Sequence, residues 1–241
     1  TKEVIKNNYQ AHQIINKKQY DYDAVVLDYY SLEKALDSKT FGVGTARKIG
    51  MDFALNYAKK CSLLFRLDAD TLVSKKYLET IVNFYNKKQF QACTINFRHQ
   101  KSNDLIINEG IKIYEKALYD IANKIKKSNS PYGYISMGSA IVCTVEAYIA
   151  VGGMCQRNAA EDFYFMQSLA KYTKIYNIKN FLVYPSSRDE KRVHLGTGYR
   201  MQEYKKNRSF KNLFFSQSSY MILRNLIELI EKNYKQPYNI L

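Results

Sequence analysis

Leu63-Leu64-Phe65-Arg66-Leu67-Asp68-Ala69-Asp70-Thr71 is an apolar run without Gly or Pro that ends in two carboxylates one residue apart, followed by a hydroxyl. The run has the length of a buried strand, and β-rise carries its end to the rim of a sheet. In an open α/β sheet, ligands bind in the crevice beyond the carboxyl ends of the strands. Two carboxylates placed there suit a hard divalent cation, since Mg²⁺ binds through one or two carboxylates together with a substrate's phosphates. The plainer role for Asp68 or Asp70 is to cap the helix expected to begin near Ser74.

Upstream stands Phe41-Gly42-Val43-Gly44-Thr45-Ala46-Arg47-Lys48-Ile49-Gly50. Its glycines permit a tight turn and close backbone approach, and a helix is expected to follow. A glycine turn at a helix N-terminus offers free N–H groups and a positive dipole end to an anion, with Arg47 in reach of a phosphate. The dinucleotide fingerprint Gly-X-Gly-X-X-Gly is not met, because Arg47 stands where its third glycine belongs. Farther back, Asp23-Ala24-Val25-Val26-Leu27-Asp28 reads as a short buried strand. Asp28 at its end either binds a ribose or base edge or is an ordinary loop carboxylate. Residues 1–18 read as an amphipathic helix.

Downstream, helices are expected over about 74–88 and 103–127, separated by a strand from Phe90 to Phe97. That rhythm predicts an α/β fold with a mostly parallel sheet flanked by helices. Met137-Gly138-Ser139-Ala140-Ile141-Val142-Cys143-Thr144 reads as a further strand, whose Gly-Ser start admits close approach of a ligand. A short helix is expected to stop at Gly152-Gly153. Ala159-Ala160-Glu161-Asp162-Phe163 opens another helix with two adjacent acids, a placement that also suits the dipole of a first turn. Two short strands, 174–178 and 181–184, lead to the basic loop from Pro185 to Gly198, fit to be a mobile lid over an anionic ligand. Phe210 to Tyr234 is an amphipathic helix or two, suited to packing on the domain, pairing with another chain, or lying on a membrane.

The 241 residues fit one domain with an appendage, taken as a domain over 1–200 and a helical tail over 201–241. The net charge of +15 comes mostly from scattered lysines. A nucleic-acid binder concentrates its charge in a stripe or arm, so no nucleic-acid partner is expected. A positive field does favour anionic substrates or an anionic membrane surface. The four cysteines (Cys61, Cys93, Cys143, Cys155) form no Cys-X-X-Cys pair and read as free, mostly buried thiols of a reducing compartment. No run of about 18 apolar residues exists, so no spanning helix is expected. The expected location is cytoplasmic, with peripheral contact at the inner face of a membrane.

Taken in order, Gly42 to Gly50, then Leu67-Asp68-Ala69-Asp70-Thr71, Gly138-Ser139-Ala140, Gly152-Gly153-Met154 and Ala160-Glu161-Asp162-Phe163 form a set. Over roughly residues 40–200 the chain resembles family 2 glycosyltransferases of the GT-A fold. It is most similar to bacterial members that end in a Pro-Ser-X-Arg … Gly-Thr-Gly loop, here Pro185 to Arg188 and Gly196 to Gly198. The resemblance implies a Rossmann-like domain with a C-terminal amphipathic helical tail. It also implies a nucleotide-diphosphate sugar donor, a hydroxyl acceptor on a saccharide or lipid-linked saccharide, and Mn²⁺ or Mg²⁺. Carried over, Asp70 is a metal ligand, and Asp68 contacts the ribose or the ion's water shell. Asp162 becomes the general base, with Glu161 its neighbour on the acceptor side. His194 is the one histidine placed to act as a further metal ligand; His12 and His99 are left as structural. Asp28, Gly44, Arg47, Ser139, Arg188 and Arg192 join Asp68 as candidates for the donor pocket, Arg188 and Arg192 with Lys191 as cations for the leaving diphosphate. One base opposite the leaving group implies single displacement with inversion.

Two departures stand beside it. The family's first nucleotide-binding strand is not found before Val25, so it either lies upstream of Thr1 or is altered here. The Gln-X-X-Arg-Trp motif of processive synthases is absent, since the chain has no Trp, which favours single addition. Rival readings are a nucleotidyltransferase, a phosphatase with an aspartyl nucleophile, and a basic protein that binds nucleic acid or a membrane surface. In the phosphatase motif a Thr or Val falls four residues after the first Asp, where this chain has Leu72.

Overall fold

The computed structural model describes residues 2–31, 33–36, 42–157, 159–189 and 195–234. Its centre is β3 (Ala92–Phe97), a strand buried on both faces, as its near-continuous apolar sequence requires. Side chains alternate across it. Ala92 joins Ile141 and Cys143 of β4 (Ile141–Thr144) in a cluster with Met51, Tyr148, Phe165, Met166 and Leu169. These come from α2 (Val43–Ala54), α5 (Val145–Ala150) and α6 (Glu161–Tyr172). Cys93, Ile95 and Phe97 face the other way, toward Tyr77 and Ile81 of α3 (Tyr77–Lys88) and Phe90. The fold is therefore α/β, with helices on both faces of one sheet.

That sheet has the order β1-β4-β3-β5-β2, with β1 Leu63–Phe65, β2 Leu72–Val73 and β5 Ile175–Tyr184. The expected mostly parallel sheet is corrected to a mixed one. Only β3 and β5 run parallel, while β4 is antiparallel to both its neighbours and β2 to β5. The cause lies in α4 (Leu105–Lys127), 23 residues and so roughly 34 Å long. Segment 128–137 then runs back along it, so close that a Cβ on Gly133 would stand 2.6 Å from the Lys126 backbone. The chain thus enters β4 from the end where β3 finished.

Other boundaries follow local chemistry. Asp104 caps α4 by accepting from the Ile106 N–H at 2.9 Å, and Lys124, Lys126 and Lys127 complement the dipole at its end. The two strands expected over 174–184 are one, with the ladder slipping between Ile178 and Phe181, where the sequence reading breaks it. Gly138–Ala140 forms a 3-10 turn, and only Ile141 onward is strand. Asp23 to Asp28 is not a strand; its backbone pairs with none of the described strands.

Helix α1 (Lys2–Lys17) leaves Ile5, Tyr9, Ile14 and Ile15 exposed and is tied down through His12 Nδ1, 2.8 Å from the Tyr30 hydroxyl. Helix α7 (Thr197–Asn207), absent from the sequence reading, packs on α4, where Met201 and Leu213 meet Ile107, Ile111 and Ala117. The final helix is α8 (Gln217–Asn233). None of the described helices is long and apolar enough to cross a membrane. All four cysteines are free, but of the thiols expected to be mostly buried only Cys93 and Cys143 are; Cys155 is half-buried and Cys61, just before β1, is exposed.

Candidate active site

At the carboxyl end of β1 the chain turns sharply, the Thr71 N–H donating to the Asp68 carbonyl at 3.0 Å. Two anchors hold this turn. Ser139 Oγ accepts from the Asp68 N–H at 2.9 Å and from the Thr71 hydroxyl at 3.0 Å. Gln100 Nε2 donates to the Asp70 carbonyl at 2.8 Å and to that of Tyr184 at 2.7 Å, tying the turn to the exit of β5. Asp68 and Asp70 therefore project from a fixed backbone into a cavity of about 1600 Å³.

Two helices aim at the same place. Helix α2 begins with Gly44 buried against the backbone of Cys155 and Arg157, where a Cβ would come within 2.6–2.7 Å of two carbonyl oxygens. That approach sets Arg47, one turn on, over the turn after β1. Helix α6 opens with Glu161-Asp162 after Ala160, whose φ of 58° is left-handed. Arg47 joins them: Nη1 donates to Glu161 Oε1 and, at 2.7 Å, to Asp162 Oδ1, while Nη2 reaches Asp68 Oδ1 at 2.5 Å. From below, Arg66 Nη2 lies 2.7 Å from the same Asp162 Oδ1. This is an ion pair without hydrogen-bond alignment, and both Arg66 Nε and Nη2 are buried with no hydrogen-bond partner. The guanidinium also sits 5.4 Å from the Phe165 ring centroid and donates weakly to Met154 Sδ at 3.6 Å. Beside this knot Arg188 Nη2 pairs with Asp70 Oδ2 at 2.9 Å.

The electrostatics follow from burial and pairing. Burial opposes the Arg47 charge, but Asp162, Asp68 and Glu161 outweigh it and hold its pKa above the ordinary value. Burial first, and then the Asp162 charge, push the Glu161 carboxyl up against the pull of Arg47 and Arg66. Burial also lowers the Arg66 guanidinium, with Asp162 acting in the opposite sense. Gly138 is what leaves room. A Cβ there would lie 2.5 Å from Arg47 Nη2 and 2.7 Å from Asp162 Oδ2.

No protein-family model matches the chain, and no curated protein matches it either. What the site can do rests on its own geometry.

The structure brings Arg47, Asp68, Asp70, Glu161, Asp162 and Arg188 to one cavity wall. It places Ser139 underneath the wall as an anchor, and Gly44 at a helix contact outside the cavity lining. Asp28 lies outside the lining too; its carboxylate accepts from the Ser31 hydroxyl at 2.6 Å and from the Tyr30 and Ser31 N–H groups, closing a local turn. The Ser31 hydrogen bond holds its pKa below the ordinary value. Arg192 and His194 lie outside the described residues.

Sequence reasoning missed Arg66, Gln100 and the part played by His99. His99 Nδ1 lies 2.8 Å from Glu115 Oε1 and its Nε2 3.1 Å from Thr197 Oγ1, fastening the start of α7, whose Thr197 and Gly198 line the cavity. For Arg66 a signal exists: a guanidinium inside an apolar strand needs a carboxylate waiting for it. Gln100 and His99 carry none.

As a metal centre the donor set is spare. Among the described residues no three His, Cys, Asp or Glu gather around one point. Asp68 and Asp70 fit a hard cation that completes its shell with phosphate oxygens and water.

Proposed function

We propose that the chain is a metal-dependent, inverting glycosyltransferase of the GT-A type, moving a sugar from a nucleotide diphosphate to an acceptor hydroxyl. One observation carries this reading. Arg47 ties the Asp68–Asp70 turn and the Glu161–Asp162 helix start, distant in sequence, into one wall of a cavity. A bound Mn²⁺ or Mg²⁺, held by Asp70 and Asp68, supplies charge stabilisation for the departing diphosphate.

The chain's own groups do the rest. Once a donor arrives, Arg188 exchanges Asp70, and Arg47 exchanges Asp68, for phosphate oxygens, with Arg47 still anchored on Glu161 and Asp162. The acceptor oxygen attacks the anomeric carbon, a new C–O bond forms, and the old C–O bond breaks with its electron pair leaving on the diphosphate. The acceptor proton passes to Asp162, the more accessible of the two adjacent acids, within hydrogen-bond reach of about 3 Å. Glu161, buried and paired to Arg47, holds that guanidinium in place. Arg66 fixes Asp162 from behind.

The test is thermal unfolding against a panel of nucleotide diphosphates and sugar nucleotides, with Mn²⁺, Mg²⁺ or chelator, since a ligand of the folded state raises Tm by mass action. A metal-requiring shift that disappears in Asp70→Ala supports the reading. A nucleotide shift indifferent to metal and to Asp70→Ala overturns it.

A further inference from the structure

A second cavity adjoins the charged one across the segment that returns along α4, with Tyr134 and Ile135 lining both. It holds about 520 Å³, within the roughly 300–1000 Å³ typical of small-molecule sites. The reaction proposed above makes no use of it.

Its lining is polar at the sheet itself. Thr94 and Asn96 of β3 and Asn177 of β5 all contribute. They are locked together: Asn177 Nδ2 donates to Thr94 Oγ1 at 3.1 Å and to Asn96 Oδ1 at 3.2 Å, and Asn96 Nδ2 donates to the Lys179 carbonyl at 3.1 Å. The amides are thereby fixed, and Asn177 Oδ1 is left as an acceptor without a partner among the described residues.

Helix α6 ends at the same place. Its first turn carries Glu161 and Asp162 to the charged cavity; its last, 12 residues and so roughly 18 Å along, carries Ala170, Lys171 and Tyr172 to the second. Of the carbonyls that close the helix, the Thr173 N–H takes that of Leu169 at 2.8 Å, and the other three belong to residues of the lining. A helix C-terminus bears partial negative charge. This end therefore offers acceptors to O–H groups and is no seat for a phosphate. Asn123 of α4 and Tyr172 also line the cavity, and neither side chain has a hydrogen-bond partner among the described residues. The Tyr172 ring is 46% exposed. Lys126, Lys171 and Lys174 line it as well, and no described carboxylate does.

Fixed amides donate and accept, helix-end carbonyls accept, and an open phenol offers an apolar ring with a polar tip. Together they suit a ligand rich in hydroxyls whose rings also present flat C–H faces. We propose that this second cavity is a saccharide-binding site, separate from the charged one. Its lysines, with no acid beside them, admit an acidic ring as readily as a neutral one. The site stands whether or not the chain transfers sugar.

Saturation-transfer NMR on the intact chain tests it, with maltotetraose, chitotetraose and a hyaluronan tetrasaccharide, in chelator and without nucleotide. At least one is expected to bind, to shift the side-chain amide resonances of Asn123 and Asn177, and to bind Asp70→Ala equally well. Affinity is expected to fall about tenfold in Tyr172→Ala, on loss of one ring contact and one hydrogen bond. It should be lost in Asn123→Trp, whose side chain fills the space. Both positions are exposed, so Tm is expected to hold. Should either variant misfold, the amide shifts of the unaltered protein still decide. Binding by none of the three, or binding that leaves both amides unmoved, overturns the proposal. Binding lost in Asp70→Ala and kept in Tyr172→Ala puts the saccharide in the charged cavity and overturns it too. Binding that meets the expectations while no nucleotide raises Tm leaves this site standing without the transferase.

Discussion

Single atoms decide whether the charged knot holds. Gly138 is the clearest case, because any Cβ there drives into Arg47 and Asp162. Gly138→Ala is expected to push the Arg47 guanidinium and the Asp162 carboxylate aside, at less cost in stability than a clash with backbone, and to abolish the metal-dependent nucleotide shift in the same thermal assay. Glu161 makes a different prediction. Its raised pKa means the native state holds that proton more tightly than the unfolded chain does. The stability it contributes is therefore present at low pH and lost as pH rises through its raised value. Glu161→Gln should melt higher than the unaltered protein at neutral pH, and the gap should close below the ordinary carboxylate value of 4.5. A gap of the same size across that range would show that folding does not shift the Glu161 pKa. Arg66 tests whether a charge is kept for chemistry. Replacing both partners of a buried ion pair by apolar groups is often neutral or stabilising by about 1–4 kcal/mol, whereas removing one partner costs about 3–5 kcal/mol because the other charge is left behind. Asp162 keeps Arg47, so Arg66→Met is expected to destabilise the chain by less than that in a denaturant titration, while sugar transfer falls on the order of a hundredfold.

Elements aim those atoms, and α2 is the one whose seating matters most. Gly44 touches the carbonyl oxygens of Cys155 and Arg157, whereas a Cβ on Gly50, later in the same helix, would meet nothing within 4 Å. Gly44→Ala should cost about 1–3 kcal/mol, and Gly50→Ala should gain about 0.4–1 kcal/mol by restricting the unfolded chain. Chemical denaturation of the two variants reads that contrast directly. The same comparison separates what was legible in the sequence from what was not. The ends of α4 were legible because Asp104 and the terminal lysines are local signals, and the opening of α6 at Glu161-Asp162 was legible for the same reason. The direction of β4 was not. It depends on how far segment 128–137 travels back along α4, which no local pattern encodes. Val25-Val26-Leu27 looked like a strand by composition, but a strand needs a ladder partner, and composition does not supply one.

Across the whole molecule the stability is uneven. β3 is hydrogen-bonded on both sides and buried on both faces, while α1 leaves its apolar side chains in solvent. Native-state hydrogen exchange should accordingly protect β3 most and α1 least; comparable protection in α1 would mean that a surface of the assembled protein covers it. The knot around Arg47 has a consequence at this scale as well, in the order by which the molecule admits its ligands. Each carboxylate of the turn already has a guanidinium: Asp68 has Arg47, and Asp70 has Arg188. A cation arriving alone would have to take both carboxylates from their arginines, leaving Arg47 on Glu161 and Asp162, and a diphosphate arriving alone would have to draw the arginines from the two acids. Either exchange is half complete and poorly rewarded. A cation and a diphosphate arriving together swap every partner at once, as two salts do in metathesis. Each should then tighten the other's binding by the same factor, and titrating either in the presence and absence of the other measures it. On the transferase reading, a site wired in this way is expected to respond more strongly to the pair than to free metal or free nucleotide alone.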